Sequence, residues 1–212
     1  YLQKRFYKEF SRYSQRVSMR VLSSKGGISG GTYYSFKNIL SEVSANKSLI
    51  KILNNPYGLN PIGKQNGPDK TDFTFVTFDE ISKRWIAPFV MAGINTKIVR
   101  RSNALLQFKY GKDFGYNEAI ITGKGLLGKV KGYLSLVPIF IITKMNNHLL
   151  KSLIDFFMPK PGEGPSKRLR ESGYYKLIFY SKINNSEFVV KVTGDMDPGY
   201  GSTSKMLAES AI

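Results

Sequence analysis

The stretch from Val17 to Val43 changes its apolar period across one glycine cluster, and that change restricts the fold more than any other feature. Val17–Leu22 (VSMRVL) alternates and is rich in β-branched residues, which predicts a strand. Tyr33, Phe36, Leu40 and Val43 follow at helical spacing. Between them lies Gly26-Gly27-Ile28-Ser29-Gly30-Gly31-Thr32. A strand, a glycine turn and a helix in that order point to an α/β chain. Such a turn gathers free backbone N–H groups at a helix start, which suits a carboxylate or a phosphate. The spacing matches neither GxGxxG nor GxxxxGK[ST]. The other use of these glycines is a tight turn that lets a helix approach a strand.

The same reading extends along the chain. Residues 1–16 place Leu2, Phe6, Phe10 and Tyr13 at helical spacing among Lys4, Arg5, Lys8, Arg12 and Arg16. This predicts a basic amphipathic lead-in helix, either a packing helix with a solvated basic face or a binding one. Residues 54–71, with three prolines and three glycines, read as a surface loop. Asp72–Phe78 alternates and reads as a strand. Asn95 and Thr96 are placed to cap a helix running to about Leu106, with Ile94, Ile98 and Leu105 on one side and Lys97, Arg100 and Arg101 on others. A strand is expected within 113–122. Residues 126–158 are the most apolar part, densest at Leu134–Ile142 around Pro138. They suggest a buried kinked helix, or a helix at a membrane interface or lipid channel. The densest run is too short to span a bilayer alone. Two strands near 174–183 and 187–193 read as a hairpin about Asn184-Asn185-Ser186. Gly194–Gly201 forms a tight loop, and Ser202 is placed to cap a last helix.

Composition narrows the chemistry. The chain has no cysteine and one histidine, His148, which excludes disulfides, thiolate metal sites, a cysteine nucleophile and a Ser-His-Asp triad elsewhere in the chain. Its net charge of +17 points to an anionic partner, or equally to biased composition or an acidic half outside this sequence. No RNA-binding motif accompanies the charge, so nucleic acid is not expected as the primary partner. An anionic membrane surface and a large protein complex are the other partners it admits. The sequence opens on Tyr1 with no secretory signal, so a processed, cut or partial intracellular chain is expected.

GGISGGT (26–32), NPYGLNP (55–61), WIAPFVMAGINTKIVRRSNALL (85–106), YGKDFGYNEAI (110–120), PGEGPSKRLRESGYY (161–175) and GDMDPGYGSTSKMLAESA (194–211) occur in this order. Together they resemble the carboxy-terminal half of the saccharopine-dehydrogenase-like oxidoreductases, the group that includes trans-acting enoyl reductases. The resemblance covers nearly the whole chain after about residue 17. It implies a mixed sheet flanked by helices, the second domain of a two-domain enzyme. Residues 17–212 would form this substrate and dimerisation domain, with 126–158 an apolar helical segment and 201–212 a terminal helix. It implies an amino-terminal Rossmann domain that binds NAD(P), and reduction of a C=C or C=N bond in a lipid-like or amino-acid-like substrate. No dinucleotide fingerprint opens this chain. The cofactor is therefore expected in the complete enzyme and not on this chain alone, with the Rossmann domain supplied elsewhere. Membrane or lipid-droplet association, or a mitochondrial setting, is a further expectation. The alternative is a non-catalytic basic subunit of a large organellar complex.

Under that resemblance, the residues expected to face substrate or cofactor are Gly30, Gly31, Thr32, Asn95, Thr96, Arg100, Arg101 and Ser102. Arg100 and Arg101 offer an anion clamp, or ion pairs to acids such as Asp113 or Asp195. Tyr116, Asp195 and Tyr200 are candidate proton donors. Asp195 and Asp197 more often hold a turn, and are too few for a metal site.

Overall fold

In the computed structural model, which describes residues 1–27, 30–144, 159–160, 162–183 and 186–211, six strands form one mixed sheet. They are β1 (Arg16–Lys25), β2 (Thr77–Asp79), β3 (Arg84–Ala87), β4 (Gly115–Gly123), β5 (Tyr174–Ile183) and β6 (Ser186–Gly194), in the order β2-β3-β4-β1-β5-β6. The helices are α1 (Leu2–Phe10), α2 (Gly30–Ala45), α3 (Ser48–Asn54), α4 (Ala92–Leu105), α5 (Gly125–Lys144), α6 (Lys167–Glu171) and α7 (Gly201–Ala211). The α/β class with a mixed sheet and flanking helices is as expected from the sequence.

The chain divides into two units. The first comprises Tyr1–Leu22, Lys47–Tyr133 and Leu177–Val192, the second Ser23–Asn46, Leu134–Lys176 and Thr193–Ile212. In the first, β1 and β4 run parallel with Val17 opposite Tyr116 and Val21 opposite Ile120. Val17, Met19 and Val21 therefore share one face with Tyr116. Leu2, Phe114 and Val190 complete that core. Strand alternation sends Ser18 and Arg20 to the other face, with Asn117 and Ala119. There Ile86, Ala119 and Ile121 make a second, smaller core. Arg20 is almost fully buried and its guanidinium grips Asp79 at 2.9 and 3.0 Å. It also donates to Asn117 Oδ1 and to the Met19 carbonyl, which satisfies the buried charge.

Several boundaries differ from the sequence reading. The lead-in helix ends at Phe10, where Ser11 adopts a left-handed conformation. It packs through Leu2 and Phe6 with its basic residues outward. The strand expected over 72–78 is only Thr77–Asp79, because Asp69 and Asp72 turn their carboxylates to a helix instead. The segment after Lys124 is a helix through Pro138 as far as Lys144, but it is not buried: Leu126, Leu127, Leu134 and Phe140 are all exposed. Among the described residues no helix is long and apolar enough to cross a membrane. β5 and β6 are sheet neighbours as the hairpin reading requires. Ile28, Ser29, the Asn184-Asn185 turn, His148 and the rest of the apolar stretch from 145 to 158 lie outside the described residues.

Candidate functional site

α4 is built inside out. Thr96, Lys97, Arg100 and Asn103 are buried, while Ile94, Ile98 and Leu105 are about half exposed. The helix begins at Ala92 after Met91, so Asn95 and Thr96 sit within it and do not cap it. Its apolar side, with Ile94, Ile98 and Leu105, faces outward. The reason is that the loop before the helix and the strand after it both present carboxylates and carbonyls to its polar face.

Arg100 is the centre of that arrangement. Its Nε donates to Asp69 Oδ2 at 2.8 Å, and Nη2 donates to the Tyr116 carbonyl at 2.9 Å. Nη1 donates to Thr96 Oγ1 at 3.0 Å and to the Pro56 carbonyl at 3.2 Å. Asp72 Oδ1 lies 3.8 Å from Nη2, and the guanidinium stands 5.5 Å from the Tyr57 ring centre. Asp69 Oδ2 also accepts the Tyr116 N–H at 2.9 Å, so the one ion pair ties α4, the 54–72 loop and β4 together. Arg100 thus pairs with Asp69 and Asp72, not with Asp113 or Asp195. Arg101 is exposed and donates to the Leu59 carbonyl. Exposed Ser102 turns its hydroxyl back to the Ile98 carbonyl at 2.8 Å.

One turn away on the same cluster is an acid. Glu118 of β4 is buried, receives the Tyr116 hydroxyl on Oε1 at 2.8 Å and the Asn95 amide on Oε2 at 3.0 Å. Burial pushes its carboxyl above the ordinary value, against the lowering effect of those two hydrogen bonds. The Tyr116 hydroxyl is pushed up as well, by burial and then by the neighbouring Glu118 carboxylate. Lys97, whose Nζ donates to the Gly93 carbonyl at 3.0 Å, is lowered by burial, opposed by Asp72. Burial thus opposes the charged form of both Glu118 and Lys97. Tyr116 also lines an apolar cavity of about 260 Å³ with Leu2, Val17, Val99, Phe114 and Val190.

The remaining candidates lie in the second unit. Gly30 begins α2, and its N–H donates to the Glu163 carbonyl at 3.0 Å. A Cβ at Gly30 would collide with the Lys160 carbonyl, so this glycine serves close packing. The Gly30 N–H is taken by the chain itself and is not free to meet an anion. Gly31 and Thr32 follow in the first helical turn, exposed. Asp195 is exposed. Asp197 is fully buried, and its carboxylate accepts the N–H groups of Gly199, Tyr200 and Gly201 at 2.8–2.9 Å. Asp197, and not Ser202, therefore caps the last helix. Ser202 Oγ donates to the Met196 carbonyl. The Tyr200 ring lies against Gly164, and Gly173 has no room for a Cβ beside the Asp197 backbone. Among the described residues no group of acids and histidine could hold a metal ion.

Tyr116, Asn95, Thr96 and Arg100 thus meet in one cluster of the first unit. Glu118, Lys97, Asp69 and Asp72 were not singled out beforehand. Alternation in YNEAIIT puts Glu118 on the same side as Tyr116 and Ile120, a signal open to the sequence. Asp69 and Asp72 carry no such mark inside a Pro/Gly-rich loop.

The chain is similar to a putative trans-acting enoyl reductase of Mycobacterium tuberculosis (strain ATCC 25618 / H37Rv), 35% identical over 205 residues, which cover 91% of this chain and 48% of that protein. It is 28% identical over 200 residues to the trans-acting enoyl reductase of Mycobacterium ulcerans (strain Agy99), covering 87% of this chain and 46% of that one. Its identity to the enzyme of the same name in Mycobacterium bovis (strain BCG / Pasteur 1173P2) is 29% over 210 residues, 89% and 48% of the two chains. The chain spans about half the length of these relatives. No protein-family model and no solved structure matches it.

Proposed function

We propose that this chain is the substrate-binding half of an oxidoreductase that reduces a C=C bond, in the manner of the saccharopine-dehydrogenase-like enzymes it resembles. The observation that carries the reading is its likeness, over about nine-tenths of its length, to proteins named trans-acting enoyl reductases. The non-catalytic subunit and the mitochondrial setting find no support among these relatives. NAD(P) belongs to the complete enzyme. The Gly30 N–H is already given to the Glu163 carbonyl, and on this reading the dinucleotide sits on residues outside this sequence.

The contribution of this chain is a seat and a proton. The open cleft beside Tyr116 takes the apolar part of the substrate. Glu118 holds a proton more firmly than an exposed glutamate does, because burial disfavours its charged form. When Glu118 is protonated the 2.8 Å hydrogen bond reverses: Glu118 donates to the Tyr116 oxygen, and the Tyr116 hydroxyl gives its own proton to the substrate carbon that does not receive the hydride. Arg100 fixes the Tyr116 backbone and so acts as a positioning residue.

The test uses the intact enzyme, NADH and NADPH, and α,β-unsaturated acyl thioesters. Glu118→Gln should lower kcat by about 10²- to 10⁴-fold, with thermal unfolding near that of the wild type. An unaltered kcat removes Glu118 as the acid. Absence of cofactor oxidation with any unsaturated acyl substrate removes the reductase reading itself.

A further inference from the structure

We infer that the substrate is a single acyl chain whose apolar tail runs across the sheet from Tyr116 to β6, extends about nine to eleven carbons beyond the C=C bond, and ends at Val192. The count from the C=C bond rests on the reductase reading; the seat itself does not.

The direction of the tail follows from strand order. The cleft beside Tyr116 lies within the first unit. Its floor takes Tyr116 from β4, Val17 from β1, Phe179 from β5, and Val190 and Val192 from β6. These four strands are consecutive neighbours in the sheet. Among the described residues Tyr116 alone lines the cleft from β4, and none does from β2 or β3. Tyr116 therefore stands at one end of the row and β6 at the other. Neighbouring strands lie about 4.8 Å apart, so three steps span about 14 Å. A zigzag of single bonds of about 1.5 Å advances roughly 1.3 Å per carbon, so that length takes about eleven carbons. The volume agrees: about 260 Å³ holds about nine methylene groups, each taking roughly the 30 Å³ of a water. Length and volume together leave room for one chain, not two abreast.

The walls select an apolar tail. α1 lies over β6, where the Phe6 ring meets Phe188 edge-on with centres 5.5 Å apart, and it adds Leu2 to the lining. Gln3 beside it is already spent. Its amide donates to the Ser14 carbonyl at 2.9 Å and accepts the Ser14 N–H at 2.8 Å. A polar substrate end would lose its water there for little return, whereas each methylene gains by leaving water. Val190 belongs to the buried core and Val192 is only partly buried, so Val192 is the side chain with room for a tail to reach it.

The test is binding, which needs no turnover. With the intact protein, calorimetry measures Kd for the saturated acyl-coenzyme A thioesters from hexanoyl to octadecanoyl. Kd should fall about two- to fourfold per added methylene as far as dodecanoyl or tetradecanoyl, and then level off. Val192→Phe should bring the plateau to a shorter chain and Val192→Ala to a longer one. Val189→Phe should leave it in place, because Val189 is exposed and alternation sends it to the other face. A Kd independent of length, a gain that continues to octadecanoyl, or a plateau that neither Val192 variant moves overturns the proposal, even where enoyl thioesters are reduced. The expected plateau with no cofactor oxidation by any enoyl thioester would strike the reductase reading and keep the acyl seat.

Discussion

α1 and α4 belong to the same unit and solve burial in opposite ways. α1 turns Leu2 and Phe6 inward and leaves Lys4, Arg5 and Lys8 in water. Removing a side chain such as Phe6 from water contributes about 1.5–3 kcal/mol, and needs no partner of particular geometry. α4 turns Thr96, Lys97, Arg100 and Asn103 inward. Such burial is tolerable only because nearly every polar atom finds a partner: Asp69, the Tyr116 and Pro56 carbonyls, and the Gly93 carbonyl. An ion pair of this kind adds little over well-packed apolar residues, yet costs heavily when half of it is removed. The difference teaches that α1 is held by area and α4 by geometry. Geometry is what a reaction site needs.

Arg100→Ala should expose that contrast most. It leaves the buried Asp69 without its ion-pair partner and takes the Arg100 donor from the Tyr116 carbonyl, and urea unfolding should report a loss of about 3–5 kcal/mol. Phe6→Leu keeps an apolar side chain of similar volume and should cost less than about 1.5 kcal/mol in the same assay. If the two losses come out equal, α4 is not held by its network.

Two buried carboxylates sharpen the comparison by pH. Glu118 has a raised pKa when folded, so the folded state binds more protons than the unfolded one. Stability should fall as pH rises from the ordinary glutamate value of about 4.3 towards the folded value. Glu118→Gln should remove that downward slope. Asp79 behaves oppositely. Burial would raise its pKa, but hydrogen bonds from Arg20 and Ser82 outweigh it and hold the carboxyl below its ordinary value. Its contribution is present above about pH 3.9 and is lost as pH falls through the folded value. Asp79→Asn should flatten the acid limb and lower stability at every pH, because it leaves Arg20 buried without its carboxylate. Chemical unfolding measured across pH 3–8 separates the two slopes.

The smallest effect is expected on the outer side of α1. Lys4→Gln changes an exposed residue with no buried partner and should move stability by less than about 0.5 kcal/mol. A larger loss would mean that the basic side is docked, and the two helices would then differ less than their inner faces suggest.

Period and turn chemistry made β1, α2, β4 and the β5–β6 pair legible, because each obeys a local rule: alternation, helical spacing or a glycine break. The same rules misplaced the start of α4, where Asn95 and Thr96 lie inside the helix and do not cap it. They also misjudged residues 72–78, where alternation over DFTFVTF suggested a strand that Asp72 forgoes to reach Thr96. The last helix was found, but its cap was assigned to Ser202, because nothing local marks Asp197 as turned back onto three N–H groups.

By itself, then, the sequence determined the class of fold, most of its elements, the exclusion of cysteine and triad chemistry, and four of the residues that meet in the buried cluster: Asn95, Thr96, Arg100 and Tyr116. Only the tertiary structure decided which side of α4 is inside, that Glu118 is buried against Tyr116 and Asn95, and that Asp69 and Asp72 hold Arg100. The physical reason is range. Periodicity records what a residue prefers among its neighbours in the chain. A buried charge is decided by partners that the fold brings from dozens of residues away, and without them the same helix would turn over.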